Sequence, residues 1–553
     1  MHLNKTVNLD PITVEIIGNA FSSITEEMGA ALVRASHSTN IKERQDCSTA
    51  IFGVAGNVLC QAEHIPMHLG SFLGIIPHII KRNDISSLKE GDVFIGNDAY
   101  EGGATHLPDI VIAQPVFFQE QLIGWVVNTA HHADFADRGH AHIYQEGIRI
   151  PPIRLYRAGK LQEDVQEMFL LNCQVPGERL SDLRAQLAAN RTGSDRLISL
   201  CNKYGVDVIL AAGEALQDYA ERKMRAGIRA IPDGIYSFSD RFELFGSNID
   251  MELSVDIEIR GDEMDLRFDA PPQVRAGLNL VFTGLLACVY YGVKAMIDPT
   301  ILPNAGLARP LRVTAPKGSV LNCVLPAAVN GRIAIAQRVV DIIFGALSKA
   351  VPDRSIAAGN GSCVAATFSG TKPDGSMWVY LETIGGGMGA RKTKDGLDGV
   401  HVHMTNTSNL PAESLELEYP ITLLKYELVD GSGGCGKQRG GMGLRRTYLM
   451  EASCRLTVNN VSRVNSMPWG LDGGESGAGS AIRFFRDGNA LPEDTRDFIS
   501  GDIVEIITPG GGGYGPAVFR KQRDVVRDLS ERVITRQQAD THYQSQVAEP
   551  AIA

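Results

Sequence analysis

Glycine is spread so unevenly along this chain that it decides what the C-terminal part can be. Residues 385–515 hold 25 of the 58 glycines in the 553-residue sequence. An interior glycine weakens a helix by about 1 kcal/mol relative to alanine, so this stretch cannot be a helical bundle. Short β-branched and apolar runs lie between the glycines, at 421–429 (ITLLKYELV), 482–485 (IRFF) and 503–507 (IVEII). Their spacing predicts a region of strands and turns. Gly431 to Gly436 matches the pattern GxGxxG, and Gly431 to Lys437 nearly matches a P-loop. Both chemistries need a helix to start at once, so that its first amides meet phosphate. Lys437-Gln438-Arg439-Gly440-Gly441 is poor helix material, and Gln438 stands where a P-loop has Ser or Thr. This segment is therefore read as a tight structural turn, and the run Gly510 to Gly513 as a structural turn or as backbone that approaches a ligand or partner closely. No GxSxG elbow and no HExxH motif occurs.

The rest of the chain carries conventional signals. Asp10 and Pro11 start a helix over 11–34, with Val14, Ile17, Phe21, Ile24 and Met28 in one apolar stripe. Two helical stretches over 180–230 break near Gly205. Ile257 and Ile259, a turn at Arg260-Gly261-Asp262, then Met264, Leu266 and Phe268 predict a β-hairpin. A helix is expected over Ile333–Ala350, stopping before Pro352, and another near 520–538. The fold class is α+β: a large, multi-part subunit with a metal-binding N-terminal half and a glycine-rich, β-dominated C-terminal half. Four regions are expected, at 1–230, 231–380, 381–516 and 517–553.

Composition removes several functions. A net charge of −11 lacks the basic footprint of a nucleic-acid partner. No run of 18 apolar residues would span a membrane, and the N-terminus lacks the apolar core of a secretory signal. The nine cysteines share no CxxC spacing, so reduced thiols and a soluble, cytoplasmic protein are expected.

Histidine carries the chemistry. Nine of the 13 fall between His37 and His142. Two segments stand out, His106-Leu107-Pro108-Asp109 and Asn128 to Asp134, which contains His131-His132. The first follows the strand-like GDVFIGNDAY and the second ends the strand-like GWVVNTA, so neighbouring strands should bring both to a common edge. Imidazole and carboxylate in close spacing suit a divalent cation such as Zn²⁺ or Mn²⁺. His106, Asp109 and His131 are the candidate ligands, with Asp46 a candidate fourth. His132 and Asp134 are candidates for orienting the metal histidine. His64, His68, His78, His140 and His142 are read as ordinary hydrogen-bonded or solvated histidines.

Many of these segments, in this order, resemble the hydantoinase B/oxoprolinase family. They include Glu43 to Ser48, Gly96-Asn97-Asp98, Gly102 to Asp109, His131 to Asp134, Glu146 to Pro152, Pro303 to Gly306, Asn409 to Glu413, Arg439-Gly440-Gly441 and Thr508 to Gly515. The resemblance runs from about residue 10 to 535. It lacks the usual family ending at Thr541 to Gln544. It implies a B-type subunit of an ATP-dependent hydrolase of cyclic amides such as hydantoin, 5-oxoproline or a lactam. ATP and Mg²⁺ would sit in a partner A-type subunit that phosphorylates the carbonyl oxygen, in a hetero-oligomer read as a heterotetramer. The family's metal positions fall on Asp46, His106, Asp109 and His131. A metal-bound water would attack the activated carbonyl, with His132 or Asp134 accepting the proton. The alternatives are a subunit of an acetone- or acetophenone-type carboxylase, or a non-catalytic scaffold for the A-type partner.

Overall fold

A computed structural model describes residues 9–62, 64–133 and 138–544. The first helix forms as expected, as α1 (Pro11–Ala35). Asp10 accepts the Thr13 N–H at 3.0 Å, and Ile17, Phe21, Ile24 and Met28 are buried. A short helix, α2 (Thr39–Lys42), then leads into a seven-stranded antiparallel sheet. Its strands are β1 (Cys47–Phe52), β2 (Val58–Gln61), β3 (Val93–Gly96), β4 (Asp109–Phe118), β5 (Gln121–His131), β6 (Ile153–Arg157) and β7 (Lys160–Leu161), in the order β2-β1-β5-β4-β3-β6-β7. Side chains alternate between the two faces of such strands. Ala50, Phe52, Val111, Ala113, Trp125 and Val127 pack on Phe72, Ile75, Ile76 and Ile79 of α3 (His68–Arg82). Their neighbours Ile51, Ile110, Ile112 and Val126 face the other way, toward α1, α4 (Glu163–Leu171) and α5 (Pro176–Tyr204).

Gly205, at φ 88°, separates α5 from α6 (Val206–Arg229), the break expected there. The expected hairpin is β9 (Asp250–Arg260) with β10 (Glu263–Asp269), inside a four-stranded sheet that adds β8 (Gly234–Glu243) and β11 (Leu311–Thr314). Two helices, α7 (Phe282–Ile297) and α8 (Ile333–Leu347), complete this core. All 15 residues of α8 are buried, including Gln337, Arg338 and Asp341. Buried charges survive only when paired. Asp341 is held by Arg463 Nη2 at 2.9 Å and His403 Nε2 at 3.0 Å, and Arg463 also reaches Asp240 of β8 at 3.0 Å. This network locks α8, and with it the loop that precedes α8, against segments about sixty to more than a hundred residues away.

The C-terminal half is two sheets on one core. One runs β13 (Met377–Ile384), β12 (Val364–Thr371), β16 (Cys454–Asn459), β19 (Asp497–Phe498). The other runs β14 (Ile421–Leu428), β15 (Leu444–Met450), β20 (Ile503–Ile507), β17 (Ala481–Arg486), β18 (Asn489–Ala490). Phe368, Tyr380, Tyr448, Phe484 and Val504 meet between them. Residues 380 and 381 are neighbours inside β13, so this core draws on both sides of the expected boundary there. After α9 (Ala412–Glu418) and the sheets, the tail forms two helices, α10 (Gln522–Ser530) and α11 (Arg536–Thr541), in place of the single one expected.

The glycines do more than turn. No helix follows Gly431 to Gly436, which removes the nucleotide readings. Instead, glycine segments from 385–389, 433–441, 470–477 and 510–513 lie backbone to backbone. Gly434 N–H donates to the Gly511 carbonyl, Gly511 N–H to Gly441, and Gly441 N–H to Met388, each at 2.9 Å. A Cβ on Gly511 would collide with the Met388 carbonyl, and one on Gly441 with that of Leu397. Only chains without side chains can approach this closely.

Gly511→Ala should therefore lower stability by at least about 2 kcal/mol in urea denaturation, because backbone must move to admit the methyl group. Gly177→Ala, in the first turn of α5 with nothing within 4 Å of a new Cβ, should be neutral or stabilise by about 0.5–1 kcal/mol. Equal effects at the two positions would contradict the close-approach account.

Candidate metal centre

Three adjacent strands deliver the centre. Asp109 opens β4 and lies directly opposite His131, the last residue of β5. Asp46 immediately precedes β1, which pairs with β5, and its carbonyl accepts the His131 N–H at 3.0 Å. The alternation that buries Val111, Val127 and Ala50 against α3 turns Asp109, His131 and Asp46 to that same face. The common edge expected from the sequence is thus real, but it is made by β4 and β5. The strand in GDVFIGNDAY is β3, on the far side of β4. His106 arrives through the turn before β4, which Asn97 braces by donating to the Leu107 and Ile148 carbonyls at 2.9 and 3.0 Å.

His106, Asp109 and His131 bring one ligand atom each to within 4.8 Å of one another, and all three are buried. The His106 and His131 ring centroids are 5.0 Å apart. His106 Nδ1 donates to the Asn330 carbonyl at 3.0 Å, which leaves the lone pair on Nε2. That lone pair lies 2.9 Å from Asp109 Oδ1. Neither atom has a hydrogen-bond partner, although both are buried. Two acceptors facing each other away from water are unfavourable unless a cation lies between or beside them. Nitrogen and carboxylate donors in this mix suit a divalent transition ion, so the residues fit the group expected.

The supports are buried as well. The second oxygen of Asp109 takes Arg332 Nη2 at 2.9 Å, while Arg332 Nε donates to Thr105 Oγ1 at 2.7 Å. Glu146 accepts the Val329 and Asn330 N–H groups at 3.0 and 2.8 Å, fixing the loop whose carbonyl orients His106. Asn40 Nδ2 donates to the His131 carbonyl at 2.9 Å and lies 3.2 Å from Nδ1 of its ring. None of Arg332, Asn330, Glu146 or Asn40 was singled out as a site residue from the sequence, since each lies far away along the chain or reads as ordinary loop.

His68 makes the ordinary hydrogen bond expected of it and also lies beside the centre. It opens α3, its Nδ1 is 2.8 Å from Ser48 Oγ, and its Nε2 is 3.6 Å from Asp46 Oδ1 and 3.7 Å from Asp109 Oδ1. The one sequence signal was its place next to Pro66-Met67 at the start of an apolar helix, which is not a ligand signal. His78 keeps the ordinary role, bonded to the Gly74 carbonyl at 2.9 Å. His132 faces the opposite side of β5, with Nε2 3.1 Å from Gln186 Oε1 of α5 and its ring edge-on to Phe169. Asp134 lies outside the described residues.

A cavity of about 80 Å³ opens on the centre. Asp46, His68, His106, Asp109, His131 and Arg332 line one part. Thr367, Thr383, Thr405, Thr407, Asn459 and Asn460 line another, with apolar walls from Ile65, Met67, Ile333 and Leu381. Burial pushes the Cys363 thiol, also in the wall, up to about 12, so it stays protonated. Burial drives the His131 imidazole down to about 4 against the pull of Asp46, and burial with the Arg332 charge lowers His106. Both rings are neutral at pH 7, the form that binds metal. Burial alone would raise the Asp109 carboxyl, but positive charge around it, that of the Arg332 guanidinium included, outweighs burial and holds it well below the usual range.

Because His131 titrates lower in the folded chain than its ordinary 6.5, its contribution to stability is present above about pH 6.5 and is lost as pH falls toward 4. Thermal melts of the metal-free protein should show this loss, at most about 3 kcal/mol from this group. His131→Gln should flatten the profile in that window. An unchanged slope in the variant would refute the assignment.

The comparisons with known proteins agree with this architecture. Residues 10–517 match the pattern of the hydantoinase B/oxoprolinase family. An uncharacterised protein of Methanocaldococcus jannaschii is 39% identical, covering 98% of this chain and 96% of its own length. The B subunit of a putative D-/L-hydantoinase from a Pseudomonas species is 33% identical, covering 97% and 95%. The crystal structure of the ATP-dependent caprolactamase from Pseudomonas jessenii superposes with a TM-score of 0.89 at 29% identity, over 98% of this chain and 97% of that one. An acetone carboxylase structure gives 0.88 at 19% identity, over 99% and 81%, which speaks to the fold alone. The family pattern spans nearly the whole chain and the relatives match it along almost their full length: the chain belongs to the hydantoinase B/oxoprolinase family.

Proposed function

We propose that this chain is the metal-bearing, B-type subunit of an ATP-dependent hydrolase that opens cyclic amides. The observation that carries this reading is the buried, unpartnered pair of His106 Nε2 and Asp109 Oδ1, 2.9 Å apart at the floor of a cavity. Its similarity to the B subunit of a hydantoinase, the beta subunit of a caprolactamase and a 5-oxoprolinase supports it. Two of these relatives are themselves one subunit of a larger enzyme, which also supports a partner chain here. In this proposal the partner is the A-type subunit that binds ATP and Mg²⁺ and phosphorylates the carbonyl oxygen, in the cytoplasm.

A cyclic amide resists water because resonance shortens its C–N bond and amide nitrogen is a poor leaving group. Moving a phosphoryl group from ATP to the carbonyl oxygen turns the carbon into a strong electrophile. One water then supplies hydroxyl to that carbon and a proton to the departing nitrogen, leaving an acyl phosphate, and a second water cleaves the acyl phosphate to carboxylate and free phosphate. His106, Asp109, His131 and Asp46 would hold the ion, with His68 close enough to join them. A bound divalent cation supplies Lewis acidity and brings the pKa of water toward neutrality. Arg332 keeps Asp109 ionised and aimed, and the Asn330 carbonyl fixes the His106 tautomer. Apolar Ile65, Met67, Ile333 and Leu381 limit bulk water at the reacting carbon. His132, bonded to Gln186 behind the strand, braces the end of β5 in this scheme. Asp134 is kept as the candidate proton acceptor.

Reconstitution with the A-type subunit tests the reading against hydantoin, 5-oxoproline and caprolactam, with ATP consumption and ring opening followed together. His106→Ala should remove bound Zn or Mn from the purified chain and abolish turnover, with assembly intact by gel filtration. Glu146→Gln, acting through the Asn330 loop, should weaken metal retention by about 10–100-fold. A fully active, metal-free His106→Ala complex would falsify the mechanism. Bicarbonate-dependent gain of a carboxyl group would instead select the carboxylase reading, and a wild-type chain with no metal and no effect of His106→Ala would select the scaffold.

A further inference from the structure

The cavity has a second set of buried polar atoms that the metal chemistry does not use. Asn460 Oδ1 and Thr367 Oγ1 both line it, in residues that are 5% and 1% exposed, and neither atom has a hydrogen-bond partner. They come from adjacent strands of one sheet, Thr367 from the middle of β12 and Asn460 from just past the end of β16. A buried carbonyl oxygen without a donor is unfavourable, so a donor is missing where Asn460 faces the cavity.

Asn460 has φ 63°, in the left-handed region that asparagine enters more readily than other non-glycine residues. Gly331 lies beside it in the cavity wall, and a methyl group there would sit 2.5 Å from Asn460 Oδ1. The chain therefore leaves space for a carboxamide oxygen turned into the cavity, one residue before the arginine that aims Asp109.

We propose that Asn460 Oδ1 accepts the ring N–H of the substrate and restricts this protein to secondary cyclic amides. This rests on the ring-opening reading above. Phosphorylation at the carbonyl oxygen leaves the nitrogen its hydrogen and gives it positive character. The Asn460 carbonyl then meets a stronger donor after activation than before, and so favours the electrophilic form. A tertiary amide, methylated on that nitrogen, would leave the asparagine oxygen unpaired and press a methyl group against it. Sites built to bond a specific N–H or O–H reject analogues lacking it by large factors.

The test uses the reconstituted pair and three probe pairs: caprolactam with N-methylcaprolactam, 5-oxoproline with N-methyl-5-oxoproline, and hydantoin with 3-methylhydantoin. Wild-type kcat/KM should fall at least about 100-fold on methylation of whichever ring is opened. Asn460→Gly suits the backbone angle and removes the side chain. It should lower kcat/KM for the parent ring at least about tenfold and shrink the discrimination below about tenfold, with metal content unchanged. Asn460→Asp, which keeps an acceptor oxygen, should restore discrimination. Acceptance of the methylated ring within about threefold by wild type, or full discrimination in Asn460→Gly, overturns the inference while ring opening stands. If none of the six compounds is opened with ATP, the ring-opening reading and this inference fall together.

Discussion

Everything specific about this protein depends on a juxtaposition that water would never allow: the lone pair of His106 Nε2 and the charge of Asp109 Oδ1, buried and 2.9 Å apart. Left alone, the pair is repulsive and desolvated. It persists because each partner is held from behind, His106 by the Asn330 carbonyl and Asp109 by the Arg332 guanidinium. Those two holders sit in one loop, which Glu146 fixes through its amides. A cation between or near the facing atoms would convert this unfavourable contact into a favourable one.

The large scale of the fold follows from keeping that contact rigid. Asp109, His131 and Asp46 occupy neighbouring strand ends, where register and pleat set their positions. Arg332 is placed by α8, which is buried along its whole length and pinned by Asp341, Arg463, His403 and Asp240. The far wall comes from β12, β13 and β16, whose sheet packs on the second C-terminal sheet. Arg44, buried two residues before Asp46, donates to the Leu381 carbonyl at 2.6 Å and also bonds Thr383, which ties the edge bearing the candidate ligands to that wall. Glycine contributes where chains must touch without side chains, as at Gly441 and Gly511. The cavity is thus closed by elements from both halves of the chain, and neither half makes it alone.

Much of the local structure was legible in the residues. The cap at Asp10, the break at Gly205, the hairpin at Gly261 and the strands between glycines each follow from short-range preferences, and each is present. The candidate ligands were legible for a different reason: histidine and aspartate crowd into segments too apolar to leave them solvated, and strand ends align what they carry. His68 was not, because one histidine at the start of an apolar helix looks the same whether it meets a carboxylate or solvent. His132 was hard to place for the opposite reason. Its neighbour His131 shares its sequence context, but a one-residue step along a strand turns the side chain to the other face.

The amino-acid order alone determined the capped first helix, the break at Gly205, the hairpin at Gly261, the candidate ligand types and the glycine-dominated character of the second half, because these depend on contacts within a few residues. Tertiary structure decided which groups converge. Arg332, Asn330, Glu146, Thr367 and Asn460 are separated from His106 by between forty and more than three hundred and fifty positions. Nothing in their immediate neighbours encodes that approach. It arises from the packing of α8 and the β12–β16 sheet against the strand ends, and packing is a property of the whole chain rather than of any segment.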